Sequence, residues 1–210
     1  MQKKKNEILL AIKENILNNT KSYFIVIIIF TVGIFLGVMF INQTENKSEI
    51  EKYINTYVDE TKALQNGNYL GELQKDIRNN ITLVLLLWFA GTTIIGIPIV
   101  LGIILFRGFC LGYTIASCVY VLGKMKGIIF IIITIFLQNI IFIPLLIALA
   151  VSGFKFYKSI IKDRRKENIK ISFTRHTVFS ILILIGLSVS SLIEVFISTN
   201  LLKNVSTYFI

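Results

Sequence analysis

The run YFIVIIIFTVGIFLGVMFI, residues 23–41, holds nineteen residues without a charge. A helix rises ~1.5 Å per residue, so about twenty apolar residues match a hydrocarbon core of roughly 30 Å. Further long apolar stretches follow at 81–106, 108–123, 127–154 and 177–202. Buried helices of water-soluble domains rarely exceed ~14 apolar residues without a polar face. A mean hydropathy of +0.73, with 54% apolar residues, leaves too little polar surface for water. The chain is therefore expected to be all-α: a polytopic membrane helix bundle with about five transmembrane helices.

These spans use up most of the 210 residues, so 23–210 reads as a single membrane domain behind an N-terminal segment, 1–22. The first span does not read as a cleaved signal peptide. It is longer than a 7–15-residue apolar region, and Phe40-Ile41-Asn42 lacks the small residues of a cleavage site. Cys110 and Cys118 stand eight residues apart in one apolar stretch. That is roughly 12 Å along a helix, too far to bridge, and two isolated thiols make no metal site.

The formal charge of +10 is unevenly placed. Segment 1–22 carries Lys3, Lys4, Lys5, Lys13 and Lys21 against Glu7 and Glu14. Segment 155–176 carries six further lysines and arginines besides Lys155 and Arg175, against Asp163 and Glu167. Segment 42–80 instead has five basic and seven acidic residues. Retention of positive charge on the cytoplasmic side accounts for all three and argues against a nucleic-acid partner. It predicts a cytoplasmic N-terminus, 42–80 outside, and a cytoplasmic basic loop at 155–176. Anionic lipid headgroups are the expected partners of that loop. The link at Arg107, and Lys124 and Lys126 on the outer side, are the weak points of this topology.

In 1–22, Ile8, Leu9, Ile12 and Ile16 recur at helical spacing among lysines, as in an amphipathic helix lying in the headgroup layer. In 42–80, Ile50, Ile54, Tyr57 and Leu64 repeat likewise, Asn66-Gly67-Asn68 signals a turn, and Leu70, Leu73 and Ile77 restart the pattern. The reading is an outer helical hairpin that packs on the bundle, offers a docking platform, or does both.

Prolines punctuate the second and fourth spans. Pro98, after Gly96, predicts a break near 94–98, and Pro144 does the same after Gln138-Asn139. Aligning Ile94-Ile95-x-Ile97-Pro98 with Ile140-Ile141-x-Ile143-Pro144 gives an offset of 46. A parallel internal repeat with broken helices would be a transporter feature, although isoleucine-rich chains match by chance.

Polar groups at membrane depth need partners. The amides of Gln138 and Asn139 can bridge helices, satisfy backbone freed by Pro144, or line a path. Arg107 is read at a cytoplasmic border, where it can snorkel. Glu194 lies in the last span near several serines. Gly33 and Gly37 form GxxxG, and Gly108, Gly112 and Ala116 share another face. Such small faces let helices approach closely, within the chain or in a homo-oligomer. Catalytic and cofactor signatures are missing, and the sole histidine, His176, reads as a solvated interface residue. The chain does not read as an enzyme.

The Gly91…Gly96-Ile97-Pro98 break, the element Phe106-Arg107-Gly108-Phe109-Cys110-Leu111-Gly112-Tyr113-Thr114, and Leu137-Gln138-Asn139 followed by Ile143-Pro144 together resemble the stage II sporulation protein M family. The similar stretch covers roughly 81–160. The resemblance implies a non-enzymatic membrane protein of endospore formation, in the mother-cell septal and engulfing membrane. Family members recruit and hold the peptidoglycan-degrading stage II sporulation proteins D and P, which thin the septal wall during engulfment. The competing reading is a small-molecule or ion transporter or channel, which expects a polar cavity near Pro98 and Pro144. The residues singled out for structure or partner contact are Pro98, Arg107, Gly108, Gly112, Gln138, Asn139 and Pro144.

Overall fold

The computed structural model describes residues 17–43, 47–64, 69–93, 95–161 and 169–198. The amphipathic pattern expected over Ile8 to Ile16 and the turn at Asn66-Gly67-Asn68 lie outside them, as does most of the charged part of the basic loop. The described residues are almost wholly helical. Their helices are α1 (Thr20–Gln43), α2 (Lys47–Leu64), α3 (Tyr69–Thr92), α4 (Gly96–Leu122), α5 (Lys124–Ile131), α6 (Leu137–Ile161) and α7 (Ile169–Ile193). Short π-helical segments, Ile132–Phe136 and Glu194–Ser198, join α5 to α6 and extend α7.

Four helices are long and apolar enough to cross a membrane: Thr20–Gln43, Gly96–Leu122, Gln138–Ile161 and Ile169–Phe196. Their outward residues, such as Phe24, Phe35, Phe106, Ile140 and Leu182, are exposed, as a lipid-facing belt requires. The inward faces of α1, α3, α4, α6 and α7 meet in one core around Val26, Leu87, Ile104, Leu146 and Leu187.

The chain reverses between α3 and α4, at the break expected near 94–98 and before the link at Arg107 that was expected to separate spans 81–106 and 108–123. Thr92 and Thr93 turn their hydroxyls back onto the carbonyls of Phe89 and Ala90, at 2.8 and 2.9 Å. This competes with continuation of α3. Gly96 is needed here because a Cβ would fall on the Ala90 carbonyl. Pro98 is the third residue of α4, where a helix needs no N–H donor. The proline therefore starts a helix and does not kink one. α4 then runs unbroken through Phe106-Arg107-Gly108. The expected 81–106 span is divided between α3, whose last part (81–92) is apolar, and α4.

Pro144 lies inside a continuous α6. The irregularity of that span is the π-helical segment before it. There Thr134 bonds the Phe130 carbonyl at 2.7 Å, and Asn139 bonds the Ile135 carbonyl at 2.7 Å.

Neighbour pairs give each helix its direction. Gly33 faces Leu105 and Phe109 while Gly37 faces Phe109 and Tyr113, so α1 and α4 run parallel. α7 is antiparallel to α6, with Ser152 against His176 at one end and Ser190 against the Gln138 carbonyl at the other. Arg107 over Phe142, with Cys118 clustered with Ile135 in the π-helical segment that leads into α6, makes α4 antiparallel to α6. Helices α1, α4 and α7 thus point one way and α3 and α6 the other. The Pro98 and Pro144 segments run in opposite senses, which removes the parallel repeat drawn between them.

Helix α2 lies across the end of the bundle where α4 finishes. Its buried Ile54 joins Cys118, Phe130 and Ile135, and Tyr53 meets Tyr113 edge-on at 6.0 Å. The second arm of the expected hairpin is no separate helix, since residues 69–80 continue directly into the apolar part of α3. Gly123, at φ 82°, makes the sharp corner into α5, and the exposed Lys124 and Lys126 sit at that same end.

Candidate functional site

A polar cavity of about 230 Å³ opens among α2, α3, α4 and α6. Arg107 contributes its charge. As the twelfth residue of α4, it stands roughly 16 Å from the start of that helix, in the middle of the bundle. The border position expected from the sequence is corrected accordingly. The guanidinium carbon sits 5.7 Å from the centre of the Phe142 ring, a cation–π contact that strengthens when water is excluded. Such a charge is tolerated at membrane depth only on the bundle interior or a wet cavity.

Around it stand Asn79, Asn80 and Asp76 of α3, Cys110 and Thr114 of α4, Gln138 and Asn139 of α6, and Tyr53 of α2. Some donors are already engaged. Asn80 donates to Ser191 Oγ at 2.8 Å and to the Leu187 carbonyl at 3.3 Å, tying α3 to α7. Asn139 serves the Ile135 carbonyl, and Thr114 that of Cys110. Of the three roles open to the Gln138-Asn139 pair, lining a cavity is the one both residues share. The carbonyl Asn139 satisfies lies in the π-helical segment, not at Pro144.

Three of the residues singled out from the sequence, Arg107, Gln138 and Asn139, thus converge. Gly108 and Gly112 belong to the adjoining face of α4. A Cβ on Gly108 would strike the Phe30 carbonyl, and one on Gly112 the Ile34 carbonyl. Both GxxxG motifs therefore form a single contact, α1 against α4, within the chain. Pro98 and Pro144 are exposed and do not line the cavity. Asp76, Asn79 and Asn80 were missed because the reading closed the outer segment at residue 80. Two adjacent asparagines opening an apolar run were the available signal.

His176 also differs from its expected solvated place. It is 2% exposed, bonds Ser152 Oγ through Nδ1 at 2.8 Å, and stacks on Phe156 at 5.9 Å. Glu194 opens the second π-helical segment. Among the described residues no three His, Cys, Asp or Glu side chains are grouped to hold a metal ion.

Four helices long and apolar enough to span a membrane, in one bundle that holds a charged polar cavity, define a multi-pass α-helical membrane protein. The chain matches the family Stage II sporulation protein M over residues 26–199, from the second turn of α1 through the second π-helical segment, and it belongs to that family. No curated protein and no solved structure matches it. Membership makes it a sporulation membrane protein, of a family not known for enzymes.

Proposed function

We propose that the protein is a non-enzymatic scaffold of the mother-cell septal membrane that recruits and anchors peptidoglycan-degrading proteins during engulfment. Its partners are then the stage II sporulation proteins D and P. Family membership over 26–199 carries this reading. The N-terminus is cytoplasmic, because the excess of lysine and arginine in 1–22 and 155–176 is retained there, and the α2 end of the bundle faces the wall.

The form of α2 supports a docking role at that end. Ile50 and Ile54 are buried at 3% and 0% exposure and hold the helix down, while Glu49, Glu51, Lys52 and Asn55 face outward. The test is a membrane pull-down from sporulating cells with Glu49, Glu51, Lys52 and Asn55 replaced together by Ala. Deleting the segment would also remove its anchors and cut α3. Recovery of protein D or P with the parent chain, lost in this variant, supports the reading. Recovery of neither by correctly inserted parent protein refutes it.

One observation favours transport as a second reading: Arg107, Gln138 and Asn139 line a polar cavity at mid-bundle. Replacing Gln138 and Asn139 with Leu separates the two. A scaffold still inserts and recovers its partners, whereas a transporter inserts and loses its activity.

A further inference from the structure

The polar cavity around Arg107 has an apolar neighbour. A groove of about 670 Å³ runs between α3 and α4, walled by Leu83, Leu86, Ile99, Ile103 and Phe106. Leu86, Ile99 and Phe106 are exposed, so the groove opens towards the hydrocarbon. Gly102 also lines it, and a Cβ there would meet nothing within 4 Å. Arg107 and Asn79 line this groove and the polar cavity alike. The two spaces therefore meet at the Arg107 charge.

That junction constrains what fills it. From Ile99 to Arg107 the groove follows α4 for about 12 Å. Its walls are consecutive helices joined by a short turn. A third helix, about 10 Å across, covers a furrow between such neighbours without entering it, whereas an extended hydrocarbon chain enters. At the inner end Arg107 lies against the Phe142 ring, with the amides of Asn79 and Gln138 lining the space around it. Asp76 lines the polar cavity too, but it has a partner of its own and does not line the groove. A guanidinium held this deep attracts an anion more strongly than a surface charge does, and its planar fork matches a phosphate or carboxylate.

We infer that the joined cavity and groove bind an anionic lipid, with its acidic headgroup against Arg107 and one hydrocarbon chain in the groove beside Gly102. The head then points to the α2 end and the chain to the opposite end, the sense of a lipid in the leaflet on the α2 side. The site does not depend on the scaffold reading. It shares Arg107 with the cavity of the transport reading, but its test measures binding alone.

The full chain, purified in neutral detergent, is titrated with phosphatidylglycerol or phosphatidylcholine, and bound lipid is counted by native mass spectrometry. Glycerol phosphate, a headgroup without chains, is added as competitor in a separate arm. Phosphatidylglycerol should bind more tightly than phosphatidylcholine and resist displacement by glycerol phosphate. Arg107→Gln should weaken it about fivefold, from the usual effect of one cation near an anionic lipid, and bring the two lipids level. Gly102→Leu fills the groove and leaves Arg107 in place. It should weaken phosphatidylglycerol about tenfold, as for two methylenes kept out of apolar contact. The open space at Gly102 lets this variant serve if Arg107→Gln does not fold. Lys126→Gln removes a charge at an exposed position and should change nothing. Equal binding of the two lipids by the parent chain, or unchanged phosphatidylglycerol binding in either Arg107→Gln or Gly102→Leu, overturns the site. Displacement of the lipid by glycerol phosphate means that the groove holds no chain and overturns the lipid assignment.

Discussion

Replacing Gly112 with Ala tests whether α1 and α4 are held by direct backbone contact. The added Cβ falls on the carbonyl oxygen of Ile34, and would stand 2.8 Å from its carbon and 2.9 Å from Ile34 Cα. Ordinary van der Waals contact begins near 3.4 Å. The obstacle is backbone, so no side chain can swing aside and α1 itself must shift. Overpacking of this kind costs about 1–3 kcal/mol. Against it stands the intrinsic gain of Ala over Gly inside a helix, about 1 kcal/mol. Gly102 isolates that gain, because it lies in the same helix with nothing within 4 Å of its would-be Cβ. The packing term is the difference between Gly112→Ala and Gly102→Ala. At ~2–4 °C per kcal/mol for a chain of this size, Gly112→Ala should unfold roughly 2–12 °C below Gly102→Ala. The assay is thermal unfolding of the full chain in one detergent, followed by circular dichroism. If Gly112→Ala proves as stable as Gly102→Ala, close α1–α4 packing is wrong.

The same geometry yields further outcomes. Cys110 lines the Arg107 cavity and Cys118 is 0% exposed. A membrane-impermeant maleimide applied to intact spheroplasts should label Cys110 in a Cys118→Ala background and spare Cys118 in a Cys110→Ala background. The reverse pattern would deny that the cavity opens on the α2 side. Asn80→Ala removes the donor that ties α3 to Ser191 and Leu187, and should destabilise by about 0.6–1.7 kcal/mol. Ser191→Ala should cost less, because Asn80 keeps the Leu187 carbonyl; similar losses in thermal unfolding would count against that ordering. Gly91→Ala would bring a Cβ to 3.0 Å from His176 Nε2 and 3.1 Å from Gly153 Cα. It should lower the unfolding midpoint more than Gly102→Ala, and an unchanged midpoint would mean that α3 does not seat against α6 and α7.

Much of the bundle was legible because the signals are local. A charge-free run such as 23–41 can only be a lipid-crossing helix, and α1 follows it with a few residues added at each end. The corner near Lys124 and the small faces of Gly33, Gly37, Gly108 and Gly112 were also legible, since each depends on residues close in sequence. The break near 94–98 was legible too, from Gly96 and Pro98. That the chain reverses there was not: Pro98 marks a helix start as readily as a kink, and a lone arginine need not mark a border.

Hydropathy along the chain is enough to specify the medium and the class, a multi-pass α-helical bundle, since lipid leaves the backbone of an apolar run no other way to satisfy its hydrogen bonds. Which polar residues meet depends on how the helices pack. Arg107 became interior because Phe142 and the amides of α3 and α6 surround it. His176 became buried because Ser152 and Phe156 close over it. Those partners lie tens of residues away along the chain. A side chain's surroundings are set by which helix faces pack together, and no local pattern of hydropathy carries that information.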